Sequence, residues 1–153
     1  MARSLRLNQD KPRVLVVDDV DDVREMYMEY LSFLGFDVSG AGNGREAVRM
    51  AIQAHQSLIV MDLAMPVLDG WEAIRILRAD PRTKAIPIVV LTGQAQPEPL
   101  AKARAVGATE VVVKPCLPAQ LGRIVVSTLA QLNGGTGGPP PAATAPPSTG
   151  STN

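Results

Sequence analysis

Two adjacent aspartates, Asp18 and Asp19, a third at Asp62, a threonine at Thr92 and a lysine at Lys114 each close a short apolar run. The runs are VLVVDD (residues 14–19), LIVMD (58–62), IVVLT (88–92) and VVVK (111–114). Three carboxylates brought close together repel one another unless a divalent cation joins them, and a nearby lysine adds further positive charge. A carboxylate, a hydroxyl and an ammonium group around a hard cation suit the transfer of a phosphoryl group.

That chemistry requires the runs to end at one place. Each is rich in β-branched residues and of strand length, and a helical pattern separates each from the next. Such alternation argues for an α/β fold, a parallel sheet with helices on both faces. Ligands of that architecture bind outside the carboxyl ends of the strands, where these polar residues would converge.

From Pro12 to about Leu132 the pattern is a fivefold strand–helix alternation without a fixed-period repeat. The first strand is read over Arg13 to Val17. Asp21 or Asp22 can cap the next helix, and Asp22 with Glu25 has capping-box spacing. Val23, Met26, Tyr27, Tyr30, Leu31 and Leu34 form the apolar stripe of that helix, which Gly35 ends. A weak strand over Asp37 to Ala41 and a helix over Arg45 to Ala54 follow. After the third strand the MPVLDG segment reads as a loop before a helix from Trp71 to Arg78. A short fourth helix is read from Leu100 to Val106, its start blurred by Pro97 and Pro99. The last runs from Pro118, which suits a first turn, to about Leu132.

The 153 residues favour one domain with one proper core. A 46% hydrophobic, 20% charged composition is that of a soluble globular protein. Fifteen basic and fifteen acidic residues cancel, which weakens any case for nucleic acid or an anionic membrane as partner. The lone Cys116 cannot form an internal disulfide, and no run has the length of a signal-peptide core or a membrane span. A cytoplasmic location is the default expectation. Residues 1–11 read as a flexible N-terminal arm, residues 12–132 as the folded domain, and residues 133–153 as a disordered tail. That last segment holds five Gly, five Pro and four Thr with no charge. It also fits a linker to a further domain.

Taken together, the constellation resembles the response-regulator receiver domain of bacterial two-component signalling, over roughly residues 12–132. The resemblance rests on several features. An acidic pair follows strand 1, and an Asp closes strand 3 ahead of MPVLDG. Thr92 with the small Gly93 closes strand 4, and Lys114-Pro115 closes strand 5. It implies a flavodoxin-like, doubly wound sheet of five parallel strands in the order 2-1-3-4-5. It implies Asp62 as phosphoacceptor, Asp18, Asp19, Asp62 and the Ala64 carbonyl as the Mg2+ site, and Thr92 and Lys114 as partners of the phosphoryl oxygens. A cis bond between Lys114 and Pro115 is implied too. The partners implied are a sensor histidine kinase or histidine phosphotransfer protein and a downstream protein target, with no nucleic acid and no membrane. No output domain is read after residue 132, so a stand-alone switch is expected, not an enzyme beyond self-phosphorylation from small donors and autodephosphorylation.

Taken singly, each residue has a bland reading. Asp62 alone is a strand-end turn former, Thr92 an ordinary strand-end threonine and Lys114 a solvated lysine. Their joint placement favours the functional reading. His55, Trp71 and the methionines read as surface or packing residues, and Cys116 as buried filler. Two departures from the family pattern bear on the switch. Position 111, where many receivers carry a rotating aromatic ring, is Val111, whose branched side chain cannot swing in that way. Positions that tune acyl-phosphate lifetime are Ala64 and Gln94.

Three rivals share parts of the pattern. A Mg2+-dependent phosphohydrolase with an aspartate nucleophile needs Asp-x-Asp after strand 1, where this chain has adjacent aspartates. A flavodoxin-like flavin binder needs a Ser/Thr/Gly phosphate loop there, and two aspartates would repel its phosphate. A degenerate scaffold would not need the intact constellation.

Overall fold

The computed structural model describes residues 11–63, 69–93 and 96–134. Five strands, β1 (Arg13–Val17), β2 (Asp37–Ala41), β3 (Leu58–Asp62), β4 (Ile88–Thr92) and β5 (Glu110–Val113), form one parallel sheet in the order β2-β1-β3-β4-β5. Five helices alternate with them: α1 (Asp21–Phe33), α2 (Gly44–Gln53), α3 (Gly70–Ala79), α4 (Pro97–Val106) and α5 (Pro118–Gly134). Fold class and strand order are those expected.

Alternation along the strands divides the core into two layers. Leu15, Val17, Ile59, Met61, Ile88 and Val90 pack on one face with Ala47, Ala51, Ile74, Leu77 and Ala103 from α2, α3 and α4. Val14, Val16, Leu58, Val60, Val89 and Leu91 pack on the other with Tyr27 and Leu31 of α1 and Leu121 and Val125 of α5. Every residue of β3 and β4 is buried, which is why these two runs are continuously apolar. Burying side chains of this size is worth about 1.5–3 kcal/mol each, so the central strands are the most firmly held part of the sheet.

Several boundaries differ from expectation for local reasons. Neither Asp21 nor Asp22 caps α1. The cap position is Val20, without a side-chain bond, and both aspartates lie inside the first turn. Asp21 instead pairs with Arg24 at 2.8 Å, and Asp18 takes the Val20 N–H at 3.0 Å. Capping by side chains occurs at α2, where Asn43 accepts from the Glu46 N–H and the Glu46 carboxylate accepts from the Gly42 N–H. Asp69 caps α3 by accepting from the Glu72 N–H. Helix α4 begins at Pro97, three residues before the expected start. Proline needs no N–H partner in a first turn, so the two prolines open the helix. Gly35 ends α1 with a φ of 107°, the left-handed geometry expected of it. Within the expected apolar stripe of α1, Tyr27 and Leu31 are buried, but Met26 and Leu34 are exposed.

Candidate functional site

The register brings the strand ends level. Val17 pairs with Met61, Asp62 with Leu91, and Thr92 with Val113, so the residues just beyond them share one edge of the sheet. The Lys114 N–H donates to the Thr92 carbonyl at 2.7 Å, which carries the β4–β5 pairing one step past the strand. At that edge one carboxylate oxygen from each of Asp18, Asp19 and Asp62 lies within 4.8 Å of the others. Lys114 Nζ stands 3.3 Å from Asp62 Oδ1. The Lys114–Pro115 peptide is cis, as expected. Four of the five side chains singled out in the sequence, Asp18, Asp19, Asp62 and Lys114, are therefore brought together. Thr92 closes the strand between Asp62 and Lys114 and is 5% exposed. The expected Ala64 carbonyl and the Gln94 side chain lie outside the described residues.

Burial makes this edge electrostatically costly. Asp18 is 2% exposed and Asp62 4%, whereas Asp19 is open to solvent. Desolvation by burial pushes the Asp18 carboxyl above its ordinary value, and the Asp62 and Asp19 charges push the same way. The Val20 N–H and Lys114 oppose them. Among the described residues Asp18 Oδ2 has no hydrogen-bond partner. A buried carboxylate with an unsatisfied oxygen, gathered with two further carboxylates, is the donor set a hard divalent cation requires. The residues fit Mg2+ on those grounds.

Residues not singled out as part of the site also shape it. Gly70 donates its N–H to the Leu63 carbonyl at 3.0 Å, drawing the start of α3 onto the end of β3. A Cβ there would lie 2.6 Å from Leu63 Cα and collide with the Asp62 carbonyl, so only glycine lets the helix approach the acidic residue so closely. Its place in MPVLDG was legible as a loop signal, but not as a contact. Arg24 donates from Nη1 to the Asp18 carbonyl at 2.8 Å. Tyr27 donates its hydroxyl to the Cys116 carbonyl at 2.7 Å. Burial, then the Cys116 thiol and the Asp18 and Asp62 carboxylates, push the tyrosine up to about 12, so it remains a donor. Cys116 is buried, and burial pushes its thiol up, in keeping with an inert packing residue.

The chain belongs to the response regulator receiver domain family, whose profile it matches over residues 14–126. PrrA of Mycobacterium tuberculosis, a transcriptional regulatory protein, is 38% identical over 110 residues, 72% of this chain and 46% of PrrA. The regulatory protein AtoC of Escherichia coli is 36% identical over 104 residues, 67% of this chain and 22% of AtoC. The chain thus spans half or less of the length of these curated relatives.

Among solved structures, the chemotaxis response regulator CheY4 of Vibrio cholerae superposes with a TM-score of 0.72 at 36% identity. That match covers 76% of this chain and 97% of CheY4. The receiver domain of the Pseudomonas aeruginosa sensor histidine kinase PA1611, solved with a magnesium ion coordinated in its active-site cleft, matches at 30% identity with a TM-score of 0.70. It covers 79% of this chain and 96% of that domain. The fold and the family are those of phosphorylation-dependent signalling domains, and this membership favours a switch over a phosphohydrolase. Receiver domains bind Mg2+ at an acidic pocket, which corresponds here to the Asp18–Asp19–Asp62 cluster. No helix among the described residues is long and apolar enough to cross a membrane.

Proposed function

We propose that this protein accepts a phosphoryl group on Asp62 from a phosphohistidine donor, a sensor histidine kinase or a histidine phosphotransfer protein, and signals through a protein partner. The observation that carries the reading is the pairing of Lys114 Nζ with Asp62 at 3.3 Å beside two further carboxylates, one with an unsatisfied oxygen.

An Asp62 carboxylate oxygen attacks phosphorus in line. A P–O bond forms as the bond to the donor nitrogen breaks, and the electron pair leaves with that nitrogen. Lys114 follows the charge from the carboxylate to the phosphoryl oxygens, and the Thr92 hydroxyl donates to one of them. Asp18 and Asp19, with Asp62 and the Ala64 carbonyl, would hold Mg2+, which would neutralise charge on the transferring group. A Cβ on Gly93 would meet nothing within 4 Å, which leaves room for a donor at the end of β4. Small donors such as acetyl phosphate or phosphoramidate serve the same nucleophile, and slow loss of the phosphate resets the switch.

Residues 12–132 carry this chemistry, and residues 133–153 stand outside it. Signalling runs from Thr92 through Gly93 to the start of α4. Val111 packs against the core and acts as filler, not as a rotating reporter. A balanced charge over the chain and exposed apolar side chains on α1 and before α5 (Met26, Phe33 and Leu117) suit a protein partner more than nucleic acid.

Incubation with phosphoramidate and Mg2+ tests this. A single hydroxylamine-labile phosphate is expected on the wild-type chain and none on Asp62→Asn, because an amide is a poor nucleophile. Labelling of that variant at the wild-type rate would overturn the assignment.

A further inference from the structure

Helix α1 carries two side-chain donors, three residues apart, that reach the two halves of the site. Arg24 extends from the first turns of α1 to the loop after β1. Its Nη1 donates to the Asp18 carbonyl at 2.8 Å and its Nη2 to Asp21 Oδ1 at 2.8 Å. The side chain is 18% exposed. It lies over the end of β2, where a Cβ on Gly40 would come within 3.2 Å of Arg24 Cδ and one on Gly42 within 3.6 Å of Nη1. Gly40 leaves space for it and for Met28, whose Sδ would stand 2.6 Å from a Cβ there, while a Cβ on Gly42 would only touch it. Tyr27, one turn along the same face, is 3% exposed and donates to the Cys116 carbonyl at 2.7 Å, across 89 positions of sequence. Lys114 is thus held on both sides, at its own N–H by the Thr92 carbonyl and two residues later by the Tyr27 hydroxyl.

We infer that α1 is a two-armed bracket in which Arg24 positions the cation-binding aspartates and Tyr27 positions Lys114. Neither side chain touches the reacting atoms, so both are positioning residues. The arms divide the labour. The backbone at Asp18 sets where its carboxylate and that of Asp19 point, and so governs the affinity for Mg2+. The turn through Cys116 sets where the Lys114 ammonium stands, and so governs the transfer step once the cation is bound. Arg24 also brings positive charge beside an edge that holds three carboxylates. Tyr27 suits its own task because it is deeply buried and keeps its proton, leaving one hydroxyl–carbonyl bond of fixed direction.

The inference rests on the reading of Asp62 as phosphoacceptor, and two separate quantities test it. Mg2+ affinity is measured by calorimetric titration without any phosphodonor. The rate of Asp62 phosphorylation by phosphoramidate is measured at saturating Mg2+. Arg24→Gln should weaken Mg2+ binding about tenfold, the size typical of outer-shell groups, and leave the saturated rate near wild type. Tyr27→Phe keeps the ring and its packing. It should leave Mg2+ affinity unchanged and slow the saturated rate about tenfold, as a displaced charge partner does.

Arg24→Lys retains one donor and should recover part of the lost affinity. If Arg24→Gln does not fold, an Arg24→Lys protein weaker than wild type for Mg2+ but normal in saturated rate supports the bracket, and one equal to wild type refutes it. Parallel loss of both quantities in both variants would show general loosening and overturn the division of labour, as would no change in either. Failure of the wild-type chain to take phosphate would instead strike the reading of Asp62, and the Mg2+ titration would still judge the Arg24 arm.

Discussion

Arg78 and Asp18 are both charged side chains drawn into the fold, and their surroundings are opposite. Arg78, at the end of α3, donates twice to the Gly107 carbonyl, at 3.0 and 2.8 Å, and once each to the Lys84 and Ile86 carbonyls. Burial lowers its pKa, but no like charge faces it, and its fork of N–H groups ties three segments together. Asp18 has one oxygen on the Val20 N–H and another with no partner among the described residues, and two carboxylates for neighbours. The first arrangement is complete as it stands. The second gathers like charges that a divalent cation would balance. A buried charge that is fully satisfied marks structure, whereas one left unsatisfied beside like charges marks a site. Gln56 Oε1, the other orphaned atom among the described residues, belongs to a neutral amide, which carries no charge for a cation to balance.

The largest expected effect on this contrast comes from the cation side. Asp19→Ala removes an exposed ligand from the cluster and should lower Mg2+ affinity by about tenfold or more while leaving the fold intact. Unchanged titration would remove Asp19 from the site. Arg78→Ala should do the reverse. It leaves three carbonyls, those of Lys84, Ile86 and Gly107, without their donor, at about 2–3 kcal/mol of stability read as a lower urea midpoint, with Mg2+ affinity unaltered. A shift in Mg2+ affinity there would break the separation between the two regions.

Asp18→Asn should be stabilising. The Asp18 carboxyl titrates above its unfolded value, so the stability it leaves intact when protonated is fully present below the ordinary carboxylate pKa. That stability is lost as pH rises through the raised value. Asparagine keeps an oxygen for the Val20 N–H and cannot ionise. At neutral pH without Mg2+ the variant should gain on the order of 1 kcal/mol over wild type, a typical reward for relieving a functional site. The gap should close toward acid and also on adding Mg2+, which stabilises only the wild type. Urea denaturation across pH, with and without the cation, reads both trends, and a variant less stable than wild type at neutral pH would contradict them. The smallest effect belongs to the end of the chain. A protein stopping at Gly134 should keep its urea midpoint and its phosphorylation rate, and a large loss of either would assign residues 135–153 a part in the fold.

What could be read in the sequence follows the same division. Apolar runs ending in Asp19, Asp62, Thr92 and Lys114 disclosed the sheet and the edge on which they meet, because strand burial and strand-end chemistry are both local in sequence. Helix starts were less legible. At α1 the aspartates that looked like caps lie inside the first turn, Asp21 paired with Arg24, and at α4 the prolines that blurred the helix start form its first turn. The supports of the site were hidden because their signal is shared with ordinary packing. Tyr27 occupies a core position of an apolar stripe, and only the fold brings its hydroxyl to Cys116. Arg24 resembles any surface arginine three residues after an acid. Gly70 reads as a turn residue until α3 is seen against β3.

The most direct test of the central claim is to locate the phosphate chemically. Borohydride reduces an acyl phosphate to an alcohol and converts the modified aspartate to homoserine. Protein treated with phosphoramidate and Mg2+, reduced and digested, should therefore show homoserine at position 62 and aspartate at positions 18 and 19 by fragment mass. Homoserine at 18 or 19, or its absence from all three in protein that has taken up phosphate, would contradict the account.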